Sequence, residues 1–171
     1  MKRRYVIFDR DGTLIEHVHH LVDVNRVRVF PDIVPGLKDI LKKNYRLGII
    51  TNQSVIERGL ASDEVVQLIH QKILEDLSGH NISIDFILYC PHLPETGCEC
   101  RKPKPGLGIR AIDEHHIDAK FSFMVGDQES DIQFGKNLGF STIAIRNSSL
   151  IDTTCDYYCE NMSEVAALLP E

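Results

Sequence analysis

The sequence lacks several features that would assign it to a broad class of protein. Of its 171 residues, 19 are Lys or Arg and 25 are Asp or Glu, which gives a formal net charge of −6. General binders of nucleic acid or anionic membranes need a basic face, so this charge argues against both partners. No apolar stretch is long enough to span a bilayer, and the run at 5–8 is too short for a signal peptide. We therefore expect a cytoplasmic protein.

Internal repeats, low-complexity tracts and Pro- or Gly-rich linkers are also missing. The hydrophobic share of 43% is typical of a soluble globular protein, and 171 residues can bury one sizeable core. We predict a single domain over residues 1–171 that acts as a monomer. Because the cytosol keeps thiols reduced, clustered cysteines are expected to bind metal rather than to form disulfides.

Short apolar runs alternate with longer amphipathic stretches along the chain. The short runs predict strands at 5–8, 46–50, 86–89, 121–125, 142–145 and 156–159. The longer stretches predict helices at 35–43, after Ser62, at 106–116, up to about 138, and at 163–169. The helix after Ser62 is predicted to bury Val65, Leu68, Ile69, Ile73 and Leu77. This alternation predicts an α/β fold with a mainly parallel sheet, helices on both faces and no large cap domain.

Polar motifs follow four of the predicted strands. They are Asp9-Arg-Asp11, Thr51-Asn52, the cysteine-rich loop after residue 89, and Gly126-Asp127. In parallel sheets, ligands bind beyond the carboxyl ends of the strands. We therefore expect these four segments to converge on one site.

The acidic residues in these motifs indicate a cation and phosphate chemistry. Asp9 and Asp11 are two positions apart on an extended segment and point to the same side, and Asp127 follows the fourth strand. Three carboxylates at one edge suit Mg²⁺, although solvated turn aspartates would give the same pattern. A carboxylate can attack phosphorus if Lys102 and Thr51 offset the charge, and Asp11 is then left as acid and base.

The four segments together resemble a known superfamily. Asp9-Arg-Asp-Gly-Thr13, Thr51-Asn52, Lys102 and Gly126-Asp-x-x-x-Asp131 are similar, in this order, to the four motifs of haloacid-dehalogenase (HAD) phosphatases. The resemblance covers residues 4–146 and implies a Rossmann-like HAD fold that hydrolyses phosphomonoesters through an aspartyl-phosphate. It implies Asp9 as nucleophile, Asp11 as acid and base, and Thr51 and Lys102 as stabilisers of the phosphoryl group. Mg²⁺ would be held by Asp9, the Asp11 carbonyl and Asp127, with Asp131 in support.

The cysteine-rich loop predicts a second metal. Cys90-x-His92-x5-Cys98-x-Cys100 offers three thiolates and one imidazole, which suit a closed, structural Zn²⁺ site. The alternative is a cluster of buried thiols without metal. Arg101 and Lys102 follow directly, so the loop is predicted to bring Lys102 to the phosphate and Arg101 to the substrate. The same arrangement occurs in one branch of the superfamily.

That branch contains phosphatases of D-glycero-D-manno-heptose 1,7-bisphosphate and of histidinol phosphate. The run Thr51-Asn-Gln-Ser-x-Ile-x-Arg-Gly59 resembles the heptose enzymes, which implies removal of the 7-phosphate and a small phosphorylated metabolite as partner. The resemblance implies substrate contacts from ten residues: His17, Val18, His19, His20, Thr51, Asn52, Gln53, Ser54, Arg101 and Lys102.

Some positions depart from the heptose pattern. Val55 replaces a usual Gly, and Gln128 replaces a usual Lys after the Asp127 motif. Glu16 could instead hold an ammonium group, as in histidinol phosphate. Histidinol phosphate or another small sugar phosphate therefore remains an alternative substrate. A phosphotransferase and a non-catalytic binding module that kept the fold are the rival functions.

Overall fold

One parallel sheet runs through the computed structural model, which describes residues 2–151 and 154–171. Its six strands lie in the order β3-β2-β1-β4-β5-β6, and every pairing between neighbours is parallel. The strands are β1 (Tyr5–Phe8), β2 (Arg46–Asn52), β3 (Phe86–Cys90), β4 (Phe123–Gly126), β5 (Ser141–Ile145) and β6 (Tyr157–Cys159). The helices are α1 (Ile33–Lys42), α2 (Asp63–Ser78), α3 (Gly106–His115), α4 (Glu129–Leu138) and α5 (Met162–Leu168). The predicted parallel α/β fold is confirmed.

The central strand β1 shows why helices cover both faces of the sheet. All four of its residues are buried, and their side chains alternate between two apolar clusters. Val6 and Phe8 belong to the cluster that contains the apolar sides of α1, α2 and α5. Tyr5 and Ile7 belong to the cluster on the other face, which contains residues of α3 and α4. A strand buried on both sides explains the unbroken apolar run in the sequence.

Two predicted details of the elements are wrong. Leu68 is 54% exposed, because the buried stripe of α2 runs through Val66, Ile69, His70, Ile73 and Leu77 instead. The fourth strand begins at Phe123 rather than at residue 121, since Phe121 lies in a 3-10 turn and is 51% exposed. The Ser62 cap is confirmed, because its side chain accepts a hydrogen bond from the Val65 N–H.

In the part of the chain that the structure describes, the segments that follow β1 and β3 form no cap domain over the sheet. Within the described residues, the stretch between β1 and α1 contains one 3-10 turn (Val24–Arg26), and the stretch between β3 and α3 contains another (Pro94–Thr96). In the same part of the chain, none of the helices has both the length and the apolar character that a membrane crossing requires. The carboxyl ends of the central strands open onto a cleft that is bordered by these loops and by the start of α4.

Candidate active site

A cleft of about 480 Å³ lies beyond the carboxyl ends of the central strands. Its walls come from the residues after β1, the end of β2, the exit of the cysteine loop and the start of α4. All ten residues predicted to contact substrate line it: His17, Val18, His19, His20, Thr51, Asn52, Gln53, Ser54, Arg101 and Lys102. The structure thus brings together residues that are far apart in the sequence.

Three carboxylates meet at the base of this cleft. Asp9 follows β1, Asp127 follows β4, and Asp131 lies in the first turn of α4. One oxygen from each lies within 4.8 Å of the others, and the residues are only 7%, 9% and 1% exposed. Asp131 takes the place in this group that the sequence pattern gave to the Asp11 side chain.

The turn after β1 favours glycine at its centre. Gly12 has a φ of +81°, a value that residues with a side chain rarely adopt. A Cβ atom there would lie 2.3 Å from Oδ2 of Asp127. Gly12 therefore lets the loop after β1 approach the carboxylate at the end of β4.

Lys102 places its ammonium between two of these carboxylates. The residue is 3% exposed, and its Nζ lies 2.7 Å from Oδ1 of Asp9 and 2.6 Å from Oδ1 of Asp131. Nζ also donates to the Ile50 carbonyl at 2.7 Å. The Asn52 side chain holds the main chain of Lys102 on both sides, with Oδ1 accepting from its N–H at 3.0 Å and Nδ2 donating to its C=O at 3.2 Å.

Burial dominates the electrostatics of the acidic group. It raises the pKa of Asp9 to about 6, although Lys102 acts in the opposite direction. Burial and the Asp9 charge raise the pKa of Asp127, and burial also raises that of Asp131. For Lys102, burial opposes the charge, but Asp131 and Asp9 outweigh it and raise the pKa of the amine. The charged forms of the three carboxyl groups are thus poorly stabilised by the protein alone, whereas the charged form of Lys102 is stabilised by its two acidic neighbours.

The acidic group fits a divalent metal ion. Three carboxylates and one ammonium leave two negative charges uncompensated when all are ionised, and a divalent cation would balance them. The donors are carboxylate oxygens, which suit Mg²⁺. Gln128 adds no charge here, since its neutral amide Nε2 donates to Oδ2 of Asp127 at 2.8 Å.

Asp11 lies apart from the acidic group, and its carboxylate is 18% exposed in the cleft. It accepts hydrogen bonds from the side chain of Arg10, at 3.0 and 3.1 Å, and from Nε2 of Gln53, at 2.9 Å. The Arg10 side chain is 1% exposed. The sequence alone predicts no role for Arg10, the residue between the two aspartates. For its partner Gln53 the sequence does hold a signal, because the two-residue spacing of Thr51 and Gln53 places both side chains on the same side of an extended segment.

The mouth of the cleft carries imidazole and guanidinium groups. His17 and His19 are exposed, and the ring centroids of His19 and His20 lie 3.9 Å apart with the ring planes tilted by 39°. Arg101 lines the cleft while its Nη1 donates to the carbonyl of His92 at 2.9 Å. Arg58 lies outside the cleft lining and is exposed, with Nε 3.4 Å from the Ser54 hydroxyl. This mouth suits a polar, anionic ligand.

The cysteine-rich loop gathers its four predicted ligands into one group. The three Sγ atoms of Cys90, Cys98 and Cys100 lie 3.2 to 3.6 Å apart. Nδ1 of His92 lies 3.6 Å from Sγ of Cys90 and 3.1 Å from Sγ of Cys100. All five cysteines of the chain are free, so no disulfide explains the closeness. Cys155 and Cys159 lie in other segments, outside this group.

The Cys/His group fits a metal ion in its dimensions and chemistry. With usual zinc–ligand lengths, tetrahedral coordination separates ligand atoms by about 3.5–3.8 Å, slightly more than observed. Burial raises the pKa of the Cys90 thiol to about 12. At Cys98 burial also opposes charge, but hydrogen bonds from Cys100 and the Arg101 N–H outweigh it and lower the pKa to about 7. A cation at the centre would stabilise the thiolates that burial disfavours.

Known proteins are similar to this chain in sequence and in fold. A family model described as HAD-hydrolase-like matches residues 99–165. A D-glycero-alpha-D-manno-heptose-1,7-bisphosphate 7-phosphatase of Campylobacter jejuni is 32% identical over 171 residues, which cover 100% of this chain and 98% of that protein. The histidine biosynthesis bifunctional protein HisB of Actinobacillus pleuropneumoniae is 33% identical over 84% of this chain, which covers only 40% of that protein.

A solved structure is similar over nearly the whole chain. It is the D,D-heptose 1,7-bisphosphate phosphatase from B. bronchiseptica in complex with magnesium and phosphate. The TM-score is 0.88 and the identity 26%, with 96% of each chain covered. The fold and the matches define a phosphatase of the HAD superfamily. Within that superfamily, the chain belongs to the family that includes the heptose-bisphosphate phosphatase of C. jejuni.

Proposed function

We propose that the chain removes the 7-phosphate of D-glycero-D-manno-heptose 1,7-bisphosphate by way of an aspartyl-phosphate on Asp9. The observation that carries this proposal is the buried Lys102 ammonium, 2.7 Å from the Asp9 carboxylate at the base of an open, polar cleft. The similarity to heptose-bisphosphate phosphatases over the full chain supports the substrate. The protein would act as one domain on a small phosphorylated metabolite.

Attack by Asp9 on a phosphate dianion must overcome charge repulsion. At about 4 Å and an effective dielectric of about 20, that repulsion is roughly 8 kcal/mol. The Lys102 ammonium offsets part of it and would contact the phosphoryl oxygens as they approach Asp9. The Thr51 hydroxyl lines the same cleft and would donate a further hydrogen bond.

A magnesium ion would supply the remaining positive charge and polarise the phosphoryl group. Asp9, Asp127 and the main-chain carbonyl of Asp11 would hold it, with Asp131 in support. Asp131 also orders the start of α4, because its Oδ2 accepts from the Gln128 N–H at 3.0 Å. It is therefore a structural link between Lys102, the helix and the proposed metal site.

Asp11 would transfer protons in both halves of the reaction. Its carboxyl gives a proton to the leaving oxygen as the bond from that oxygen to phosphorus breaks and Asp9 binds phosphorus. Asp11, now a carboxylate, then takes a proton from the water that hydrolyses the aspartyl-phosphate. Its partial exposure in the cleft leaves room for both partners.

The predicted substrate contacts divide into two groups by their hydrogen bonds. The polar atoms of the Asn52 and Gln53 side chains bond to Lys102, Asp11, Thr51 and Arg10. We propose that these two residues support the site more than they touch the substrate. His17, His19, His20, Ser54 and Arg101, with Val18, would contact the sugar and its second phosphate at the mouth.

We also propose a structural zinc ion bound by Cys90, His92, Cys98 and Cys100. All four ligand positions would be filled by protein, so the ion would have no place for substrate. Its effect would be to fix the loop from which Arg101 and Lys102 continue.

Histidinol phosphate is the second candidate substrate, because bifunctional relatives of histidine biosynthesis match 84% of this chain. Glu16 is exposed and could meet its ammonium group. The deciding measurement is kcat/KM for heptose bisphosphate and for histidinol phosphate, with and without Mg²⁺. We expect the heptose ester to be preferred. Poor and equal values for both esters would overturn the substrate assignment.

The nucleophile is tested with Asp9→Asn, which should lower Mg²⁺-dependent hydrolysis of p-nitrophenyl phosphate by at least about a thousandfold. Asp113→Asn is the matched control, because Asp113 is exposed on α3. Turnover that survives Asp9→Asn would sink the assignment. Product analysis with acceptor alcohols distinguishes hydrolysis from phosphotransfer, since only a transferase forms a new phosphate ester.

A further inference from the structure

The guanidinium of Arg10 is buried beside the proposed acid and base. Arg10 is one of the largest side chains that are fully buried, and it follows the nucleophile directly in the sequence. Its Nε donates to Oδ2 of Asp11 at 3.0 Å and its Nη2 donates to Oδ1 at 3.1 Å. Two parallel hydrogen bonds of this kind fix the plane of a carboxylate as well as its position.

Gln53 completes the contacts around this carboxylate. Its Nε2 donates to Oδ2 of Asp11 at 2.9 Å and to Oγ1 of Thr51 at 2.9 Å. Its Oε1 accepts from Nη2 of Arg10 at 2.8 Å. A guanidinium has only donors, so the oxygen of the Gln53 amide must face Arg10 and both amide hydrogens must face Asp11 and Thr51. The orientation of Gln53 is therefore set by Arg10.

The same contacts determine the direction of the Thr51 hydroxyl. Because Oγ1 of Thr51 accepts a hydrogen bond from Gln53, its own hydrogen is free to point to another acceptor. Thr51 is 1% exposed and lines the cleft, so a phosphoryl oxygen there is the acceptor within reach. The chain of contacts thus runs from Arg10 through Gln53 to the two side chains proposed to act on the phosphate.

His70, a neighbour of Arg10, adds no positive charge beside the guanidinium. His70 of α2 is 6% exposed and packs edge-on against the ring of Tyr89, with centroids 5.1 Å apart. Burial, with the charge of Arg10, lowers the pKa of His70 to about 4, so the imidazole is neutral at ordinary pH. The Asp11 carboxyl is the acidic group that the guanidinium contacts directly.

We infer that Arg10 and Gln53 are positioning residues that hold the Asp11 carboxyl in the orientation needed for both proton transfers. The inference rests on the proposed function only through the role of Asp11 as acid and base. In the first step the Asp11 proton moves to the leaving alkoxide oxygen as its bond to phosphorus breaks. In the second step Asp11 takes a proton from water as the Asp9–phosphorus bond breaks. Neither step proceeds well if the carboxyl rotates freely.

Two phosphate esters separate this role from a general structural one. Nitrophenolate leaves without a proton, whereas the alkoxide of benzyl phosphate needs one. For each ester, kcat/KM reports the first step alone. Arg10→Lys should therefore lower kcat/KM for benzyl phosphate by about 30-fold or more, but for p-nitrophenyl phosphate by less than about fivefold. Gln53→Met should lower kcat/KM for both esters, because Thr51 also loses the donor that orients its hydroxyl, but the loss should be clearly larger for benzyl phosphate. Both variants should also show a burst of nitrophenol, because hydrolysis of the aspartyl-phosphate becomes slow.

Asp11→Asn is the reference variant and should show the largest difference between the two esters. Thr142→Val is the matched control, since Thr142 is buried on β5 and bonds to Asp156 instead. The thermal unfolding midpoint of each variant measures how far the substitution has lowered the stability of the fold. Equal losses for both esters in Arg10→Lys and Gln53→Met, without a burst, would overturn the inference while leaving the role of Asp11 intact. If Asp11→Asn itself showed no difference, the proposed acid would be wrong and the inference would fall with it.

Discussion

The acidic group and the Cys/His group are two candidate metal sites that are built in opposite ways. The acidic group joins Asp9, Asp127 and Asp131, which come from two separate parts of the chain and are at most 9% exposed. The Cys/His group takes all its members from residues 90–100, and three of the four are partly exposed. The first group exists only when β1 and β4 are paired, whereas the second needs one loop. Lys102 connects them, because it leaves the loop and ends in the acidic group.

Replacing Lys102 should have the largest effect, because it removes the connection. Lys102→Met leaves Asp9 and Asp131 buried without their cation, so activity should fall by about 10³-fold. In EDTA at pH 7 the free energy of unfolding should fall by about 3–5 kcal/mol, measured by urea denaturation. Lys104→Met is the matched control, because its pair with Glu99 is on the surface and its loss should leave stability nearly unchanged. Equal effects of the two substitutions would show that burial does not distinguish the lysines.

Breaking the Cys/His group should have the next largest effect. In Cys98→Ser the bound zinc should fall from about one ion per chain to nearly none, measured by metal analysis of the purified protein. Activity should fall by on the order of a hundredfold, because Lys102 is displaced while the sheet stays folded. Cys155→Ser is the control, and it should keep both zinc and activity. Full activity in a zinc-free Cys98→Ser protein would mean that the loop does not position Lys102.

Adding charge to the acidic group should have a smaller effect. In Gln128→Lys an ammonium would replace the amide that contacts Asp127. In a solvent-open cleft this should weaken Mg²⁺ binding by about 1–2 kcal/mol, or roughly tenfold, measured by calorimetry without substrate. The control is Gln133→Lys, which places the same charge on an exposed position of α4. Unchanged Mg²⁺ affinity in Gln128→Lys would place the ion away from Asp127.

Replacing Asp32, a carboxylate outside both groups, should have the smallest effect on the free energy of unfolding. Asp32 accepts two hydrogen bonds from Nη2 of Arg146, at 2.8 and 2.7 Å, and one from the Met162 N–H at 2.6 Å. Burial opposes its charge, but these donors outweigh burial and lower its pKa below the ordinary 3.8. Its contribution is therefore complete above about pH 4 and is lost as the pH falls through the lowered pKa.

For Asp32→Asn we expect a loss of about 1 kcal/mol of unfolding free energy at pH 7, reduced from a fully buried value because the carboxylate is partly exposed. The difference from the wild type should shrink at pH 3, as shown by urea denaturation at both pH values. A loss that stays constant between pH 7 and pH 3 would mean that the charge of Asp32 contributes nothing. The control is Asp39→Asn, whose exposed pair with Lys42 should contribute little at either pH.

The sequence predicted the features that depend on chain order and on backbone periodicity. The strands, their parallel arrangement and the convergence of four motifs all follow from apolar runs and the rule for strand ends. Leu68 and Phe121 were misplaced because a helical stripe and a strand end can shift by one or two residues without a change in composition. The hydrogen bonds of Arg10, Gln53 and Asn52 could not be predicted, since they depend on side-chain rotamers and on neighbours from distant segments.

The short path from Cys100 to Lys102 has a consequence for how this chain can vary in length. One extra residue between them would shift the amine by up to about 3.8 Å, far outside hydrogen-bond reach of Asp9. The exposed stretch at 94–97, inside the same loop, faces no such limit. Insertions and deletions should therefore be tolerated between His92 and Cys98 but not between Cys100 and Lys102.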